Sequence, residues 1–239
     1  MAGSVLPFDA LLYCYGYTVM ATFLRNRHRL YDPVWHVQIA MVLAVALQFL
    51  LPDTYTAGSR YLIAVVGVLL LVGLGITTPR EKVFRSLGRR VTVLLLITLT
   101  SGCNIYALTR VVEQLLSKGH ISDGHQLILT ALDIYLTNII IFGLLYWEVD
   151  GGGPGQRAKT EKHDHDFMFP QNQNEDYKHP DWLPTFVDYV YLSSTNAMAF
   201  SPTDTMPLSR RAKIIMLVQA TISLVVVALV AARAVNILG

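Results

Sequence analysis

The chain is expected to be an all-α integral membrane protein with five transmembrane helices, a sixth candidate at the start, and a short re-entrant helix before the last span. Three observations point to this. The 239 residues are 53% apolar and only 15% charged, more hydrophobic than one soluble core requires. Five apolar runs, Val34 to Leu51, Tyr61 to Thr78, Val91 to Thr109, Gln126 to Trp147 and Ala212 to Ala232, each come near the length that crosses a bilayer, about 20 residues. Basic residues gather beside these runs or, as Lys213 does, at their very ends.

The first segment, Val5 to Leu24, carries Pro7, Asp9 and three tyrosines. It either spans or lies at the surface. No basic stretch precedes it and no small-residue cleavage site follows, so a removed signal peptide is not expected. Cys14 and Cys103 lie in apolar segments without metal-type or paired spacing, and read as small buried hydrophobes.

Charge sets the orientation. Arg25, Arg27 and Arg29 precede the first of the five runs, and Arg80, Lys82, Arg85, Arg89 and Arg90 separate the second from the third. The opposite loops hold Arg60 and Lys118. The positive-inside rule therefore puts the richer side in the cytoplasm, together with the long segment 148–180. That segment opens with a glycine run and mixed charges, and predicts a flexible loop ordered at most in patches. The net charge of +2 is too small to suggest nucleic acid as a partner.

Residues 181–200 return to apolar character, and Arg210, Arg211 and Lys213 then open the last span. A full crossing by 181–200 would put these three cations outside. A re-entrant helix keeps them inside and suits Ser193, Ser194, Thr195 and Asn196, which are costly against lipid. A helix lying on the membrane surface, anchored by Trp182, Tyr189 and Tyr191, is the competing reading. The chain thus divides into an N-terminal helical bundle, 1–125, and a C-terminal module, 126–239, with a last span at 212–232.

The order of span, short helix, polar turn and span resembles the pore module of tetrameric cation channels. Tyr191 and Ser193 match the start of a bacterial potassium-channel pore helix, and Asp204, Pro207 and Leu208 match the D-x-x-P-L after its filter. Where that family has T-V-G-Y-G, this chain has Ala199, Phe200, Ser201, Pro202 and Thr203. Without the glycines, successive carbonyls cannot cheaply face an ion axis, and Pro202 stiffens the turn. The resemblance therefore implies a poorly selective path for monovalent cations through a homo-oligomer, a tetramer if a pore. Thr195 and Asn196 would lie in the re-entrant helix, Ser201, Pro202 and Thr203 in the turn, Asp204 at the mouth, and Gln219 on the path. Because the charge rule places this loop on the cytoplasmic face, the pore would be inverted, as in ionotropic glutamate receptors.

The stretches WEVDGGGPG, FMFPQ, FVDYVYLSSTNAMAFSPTDTMPLSRRAK and ARAVNIL also resemble a family of uncharacterised bacterial multi-pass membrane proteins. That likeness implies the bacterial inner membrane and no particular activity. A non-conducting scaffold or accessory subunit, or a small transporter, competes with the pore reading.

Inside the spans, Asp133 is the carboxylate most in need of a partner. The short connection between the third and fourth runs makes them antiparallel neighbours and brings Arg110 to a similar depth, so an Arg110–Asp133 ion pair is expected. A proton or ion site facing water is the other reading. Glu113, three residues after Arg110, competes for the same guanidinium. Asn104, Asn138 and Gln219 are suited to interhelical hydrogen bonds, Gln219 equally to a pore wall. His163 and His165 alternate with acids in the long loop, a weak metal-ligand pattern on a segment with no fixed geometry. No phosphate-binding loop, zinc-protease, nucleophile-elbow or dinucleotide motif occurs, so no enzyme activity and no cofactor are expected.

Overall fold

A computed structural model describes residues 34–56, 58, 65–69, 71–72, 87–116, 124–157, 165–173, 182–199 and 204–238. Its long helices are α1 (Val34–Leu50), α2 (Leu87–Leu116), α3 (Gly124–Val149), α4 (Phe186–Ala199) and α5 (Arg210–Leu238). Among the described residues, three stretches are long and apolar enough to cross a bilayer: Gly88–Leu115, His125–Gly152 and Arg210–Arg233. The shorter α1 is largely apolar, with His36, Gln38 and Gln48 as its polar residues. The run Tyr61 to Thr78 falls largely outside the described residues, with helix at 65–69 and 71–72, and the segment 5–24 falls wholly outside.

The centre of the arrangement is α3. It packs on α1, α2, α4 and α5, so apolar side chains surround it and its partners form most of the outer surface. One core joins Met41 of α1, Leu96 of α2, Trp147 of α3, Leu192 of α4 and Met216 of α5, and therefore crosses from the N-terminal to the C-terminal part of the chain. A second core, with Tyr55, Val111, Leu127 and Val226, fills the other end. The outer face of α5, including Ile214, Leu217, Leu224 and Val227, is exposed and apolar, as a lipid- or subunit-facing surface would be.

Local chemistry explains where the C-terminal elements begin and stop. Gly151, Gly152 and Gly153 follow α3 with φ of 56°, 80° and 96°, a left-handed stretch that ends a helix at little cost only for glycine. A Cβ on Gly153 would stand 3.0 Å from the Glu148 carbonyl oxygen, so the chain doubles back against its own helix. α4 starts with a reciprocal cap: the Asp188 carboxylate accepts from the Thr185 amide at 2.7 Å and hydroxyl at 2.8 Å, while the Asp188 amide donates to the Thr185 carbonyl at 3.1 Å. The Ala212 amide donates to Ser209 Oγ at 3.1 Å, capping α5. A two-residue antiparallel pair, β1 (Phe167–Met168) with β2 (Met206–Pro207), ties the segment after α3 to the turn before α5.

Candidate functional site

The residues expected to act in the C-terminal hairpin separate into two groups. Gln219, Asn196 and Ser193 are buried where α3, α4 and α5 meet. Gln219 Oε1 accepts from the Tyr146 hydroxyl and, at 2.9 Å, from Asn196 Nδ2. Its Nε2 donates to Ser193 Oγ at 2.7 Å and to the Ser193 carbonyl at 3.0 Å. Ser193 Oγ in turn donates to the Ile139 carbonyl at 2.7 Å, and Asn196 Nδ2 reaches the Met216 carbonyl at 3.1 Å. The amide of Gln219 is thereby filled within one subunit. The expectation that it faces a path is corrected by this inward packing: a side chain placed between three helices gains more from four fixed partners than from water.

Thr195 bonds the Leu192 carbonyl of its own helix at 3.0 Å. Asp204 is exposed at the turn, where its carbonyl accepts from Gln173 Nε2 at 3.4 Å. Ser201, Pro202 and Thr203 lie outside the described residues.

A second constellation, built of charges, closes the end of α3. The Asp150 carboxylate is fully buried. Its Oδ1 accepts from the amides of Asp166 at 2.7 Å and Phe167 at 3.2 Å, and its Oδ2 from the Tyr189 hydroxyl at 2.5 Å. Arg157 donates to the carbonyls of Trp147 at 2.8 Å and Asp150 at 2.6 Å, and its guanidinium lies 5.1 Å from the centre of the Tyr189 ring. Asp166 holds Arg211 through two bonds of 2.6 Å, joining the same knot to α5. Arg89 of α2 meets Glu148 at 3.1 Å and lies 5.3 Å from the Trp147 ring. Within segment 148–180, the described stretches 148–157 and 165–173 are thus tied to the bundle through Asp150, Arg157 and Asp166, and residues 158–164 and 174–180 lie outside the described residues. These bonds offset part of what the buried carboxylates lose in hydration, fewest for Glu148, whose Oε2 is buried without a hydrogen-bond partner among the described residues. His165 Nδ1 stands 3.9 Å from Asp150 Oδ2, and His163 lies outside the described residues. Among the described residues no cluster of three or more metal-type side chains forms.

The Arg110–Asp133 pair is not formed. Arg110 Nη1 instead meets Glu113 Oε2 at 2.7 Å, three residues along the same exposed helix face, where the local geometry favours i,i+3 partners and water solvates both ions. Asp133 is buried, and among the described residues neither carboxylate oxygen has a hydrogen-bond partner. Asn104 Nδ2 donates to the Ile134 carbonyl at 3.2 Å, and Asn138 Nδ2 to Ser223 Oγ at 2.9 Å, the interhelical use expected of both. Sequence reading passed over the Asp150 knot. Its signal was the glycine run beside alternating acids, read above as a solvated loop.

These features define a class: a helical protein with membrane-length apolar helices, joined by a neutral polar lock inside and a charged knot at one end. No protein family, curated protein or solved structure matches the chain.

Proposed function

We propose that the protein is a pore-like oligomer of the bacterial inner membrane that passes monovalent cations with poor selectivity, the path being enclosed between four copies. One observation carries this reading. α4 has 14 residues, about 21 Å of helix against a hydrocarbon thickness near 30 Å, and it is seated between two helices of full spanning length. Such a helix, followed directly by a polar turn, suits a half-crossing. The fixed hydrogen bonds from α4 to α3 and α5 give that helix the rigidity a pore turn requires. Ser201 and Thr203 would supply hydroxyls to the turn, and the exposed Asp204 carboxylates would form a ring at its mouth.

A non-conducting scaffold or accessory subunit is the second reading. Gln219 and Asn196 favour it, since both are committed inside the subunit. The groove of about 530 Å³ between α2 and α5 is apolar apart from Thr109 and Thr221, whose hydroxyls bond carbonyls of their own helices. It offers no ion path.

Subunit counting by native mass spectrometry in lipid, followed by cation flux in proteoliposomes, tests the proposal. A tetramer is expected, with flux lowered about threefold by Asp204→Asn through loss of local cation enrichment. A monomer or dimer, or equal background flux with and without the protein, would leave the scaffold reading.

A further inference from the structure

The unsatisfied oxygens in the middle of the bundle form a pattern distinct from the hairpin. Asp133 is 7% exposed and Thr137 0%. They stand four residues apart on α3, one turn along the same face. Both carboxylate oxygens of Asp133 and the hydroxyl of Thr137 are buried without a hydrogen-bond partner among the described residues. Buried polar atoms are rarely left so, because each loses its hydration without return.

The hydroxyl of Thr137 is the independent sign. Thr92, Thr98, Thr100, Thr109, Thr130 and Thr221 each donate to the carbonyl four residues back, the usual resting place of a helical threonine. Thr137 does not take that bond, although it is fully buried. Asn104 of α2 is tied to α3 by its bond to the Ile134 carbonyl, next in sequence to Asp133, and Asn138, next to Thr137, is tied to α5 by its bond to Ser223; in both, nitrogen is used and the side-chain Oδ1 is unpartnered among the described residues. All five unpartnered side-chain atoms of Asn104, Asp133, Thr137 and Asn138 are oxygens. A layer of acceptors facing no donor calls for a positive guest.

We propose that Asp133 and Thr137 form an intramembrane binding site for one small monovalent cation, flanked by the amide oxygens of Asn104 and Asn138. The guest's charge follows from the donor set. One carboxylate neutralises a single positive charge, whereas a divalent ion would leave net charge buried in hydrocarbon. Hard oxygen ligands suit an alkali cation and not a soft transition metal. Arg110, the side-chain cation placed best by sequence to neutralise Asp133, is engaged with Glu113 at 2.7 Å. The proposed ligands lie on α2 and α3, with α5 touching them through the Asn138–Ser223 bond, and the assignment stands whether or not the hairpin conducts.

The test is thermal unfolding of the purified full chain in detergent at mildly alkaline pH, with sodium chloride replaced stepwise by choline chloride at constant ionic strength. Sodium should raise the midpoint by about 3–6 °C by binding the native state. Asp133→Asn should abolish the sodium-specific rise, and Thr137→Val should require roughly tenfold more sodium for half the effect. Should Asp133→Asn fail to fold, sodium NMR line broadening on the wild-type chain and on Thr137→Val reads the same site. Equal midpoints of the wild type in sodium and choline would overturn the assignment, as would a sodium rise that survives in Asp133→Asn. Stabilisation by acid alone, identical in both salts, would overturn it too, showing that the carboxyl only takes a proton.

Discussion

Two buried polar layers of α3 follow opposite rules. Around Gln219 every atom of the amide has found its partners on α3 and α4, and the layer joins three helices. Side-chain oxygens of Asp133 and of three further polar residues, Asn104, Thr137 and Asn138, are without a partner among the described residues. Both layers sit on apolar helices, so hydrophobic burial does not distinguish them. The difference teaches that saturation, rather than polarity, separates a structural lock from a place kept for a ligand. A lock loses stability when any member is removed. An unsatisfied set of acceptors should gain stability when something positive binds it.

The strongest challenge to this contrast lies at the charged end of α3. Asp150→Ala should cost about 3–5 kcal/mol, because two backbone amides, the Tyr189 hydroxyl and the neighbouring Arg157 all lose one buried anion. Unfolding by graded denaturing detergent in lipid micelles measures it. A loss below about 1 kcal/mol would mean that the knot is decorative.

Next in size is Gln219→Leu, which should cost about 2–3 kcal/mol in the same titration, since Tyr146, Asn196 and Ser193 each lose a bond. In any protein that stays folded, ion preference should be unchanged. An altered ion preference at unaltered stability would return Gln219 to a pore wall. The smallest effect belongs to Arg211→Gln. Its pair with Asp166 is bidentate at 2.6 Å, but the Arg211 side chain is 58% exposed, so water limits the loss to about 1 kcal/mol. A larger loss would show that α5 depends on the knot more than on its own cap.

The interhelical amides illustrate what was legible beforehand. Asn104 and Asn138 stood alone in apolar runs, and a carboxamide in lipid has little to do but bond a neighbouring helix. Both do so. Asp133 was equally visible, but its partner was not. Depth along two helices placed Arg110 near it, while rotation about the helix axis, which depth does not report, turned the guanidinium to Glu113. The Asp150 knot was hidden for another reason. Its members, Asp150, Arg157, Asp166, Tyr189 and Arg211, are spread over 62 positions (211 minus 149) from the end of α3 to the start of α5, and a glycine run beside charges has the composition of a solvated loop.

By itself the sequence determined the helical class, the membrane-length apolar stretches and the short helix before the last one. Each of these depends on residues within a turn or two of one another, or on the solvent that a run of side chains demands. Only the tertiary structure decided which polar residues satisfy each other, turning Gln219 inward, tying Asp150, Arg157 and Asp166 of the long segment to the bundle and leaving Asp133 without a partner among the described residues. Hydrogen bonds and ion pairs depend on separations of about 3 Å between atoms on different helices, and those distances are set by how the helices are rotated and packed, which no single helix encodes.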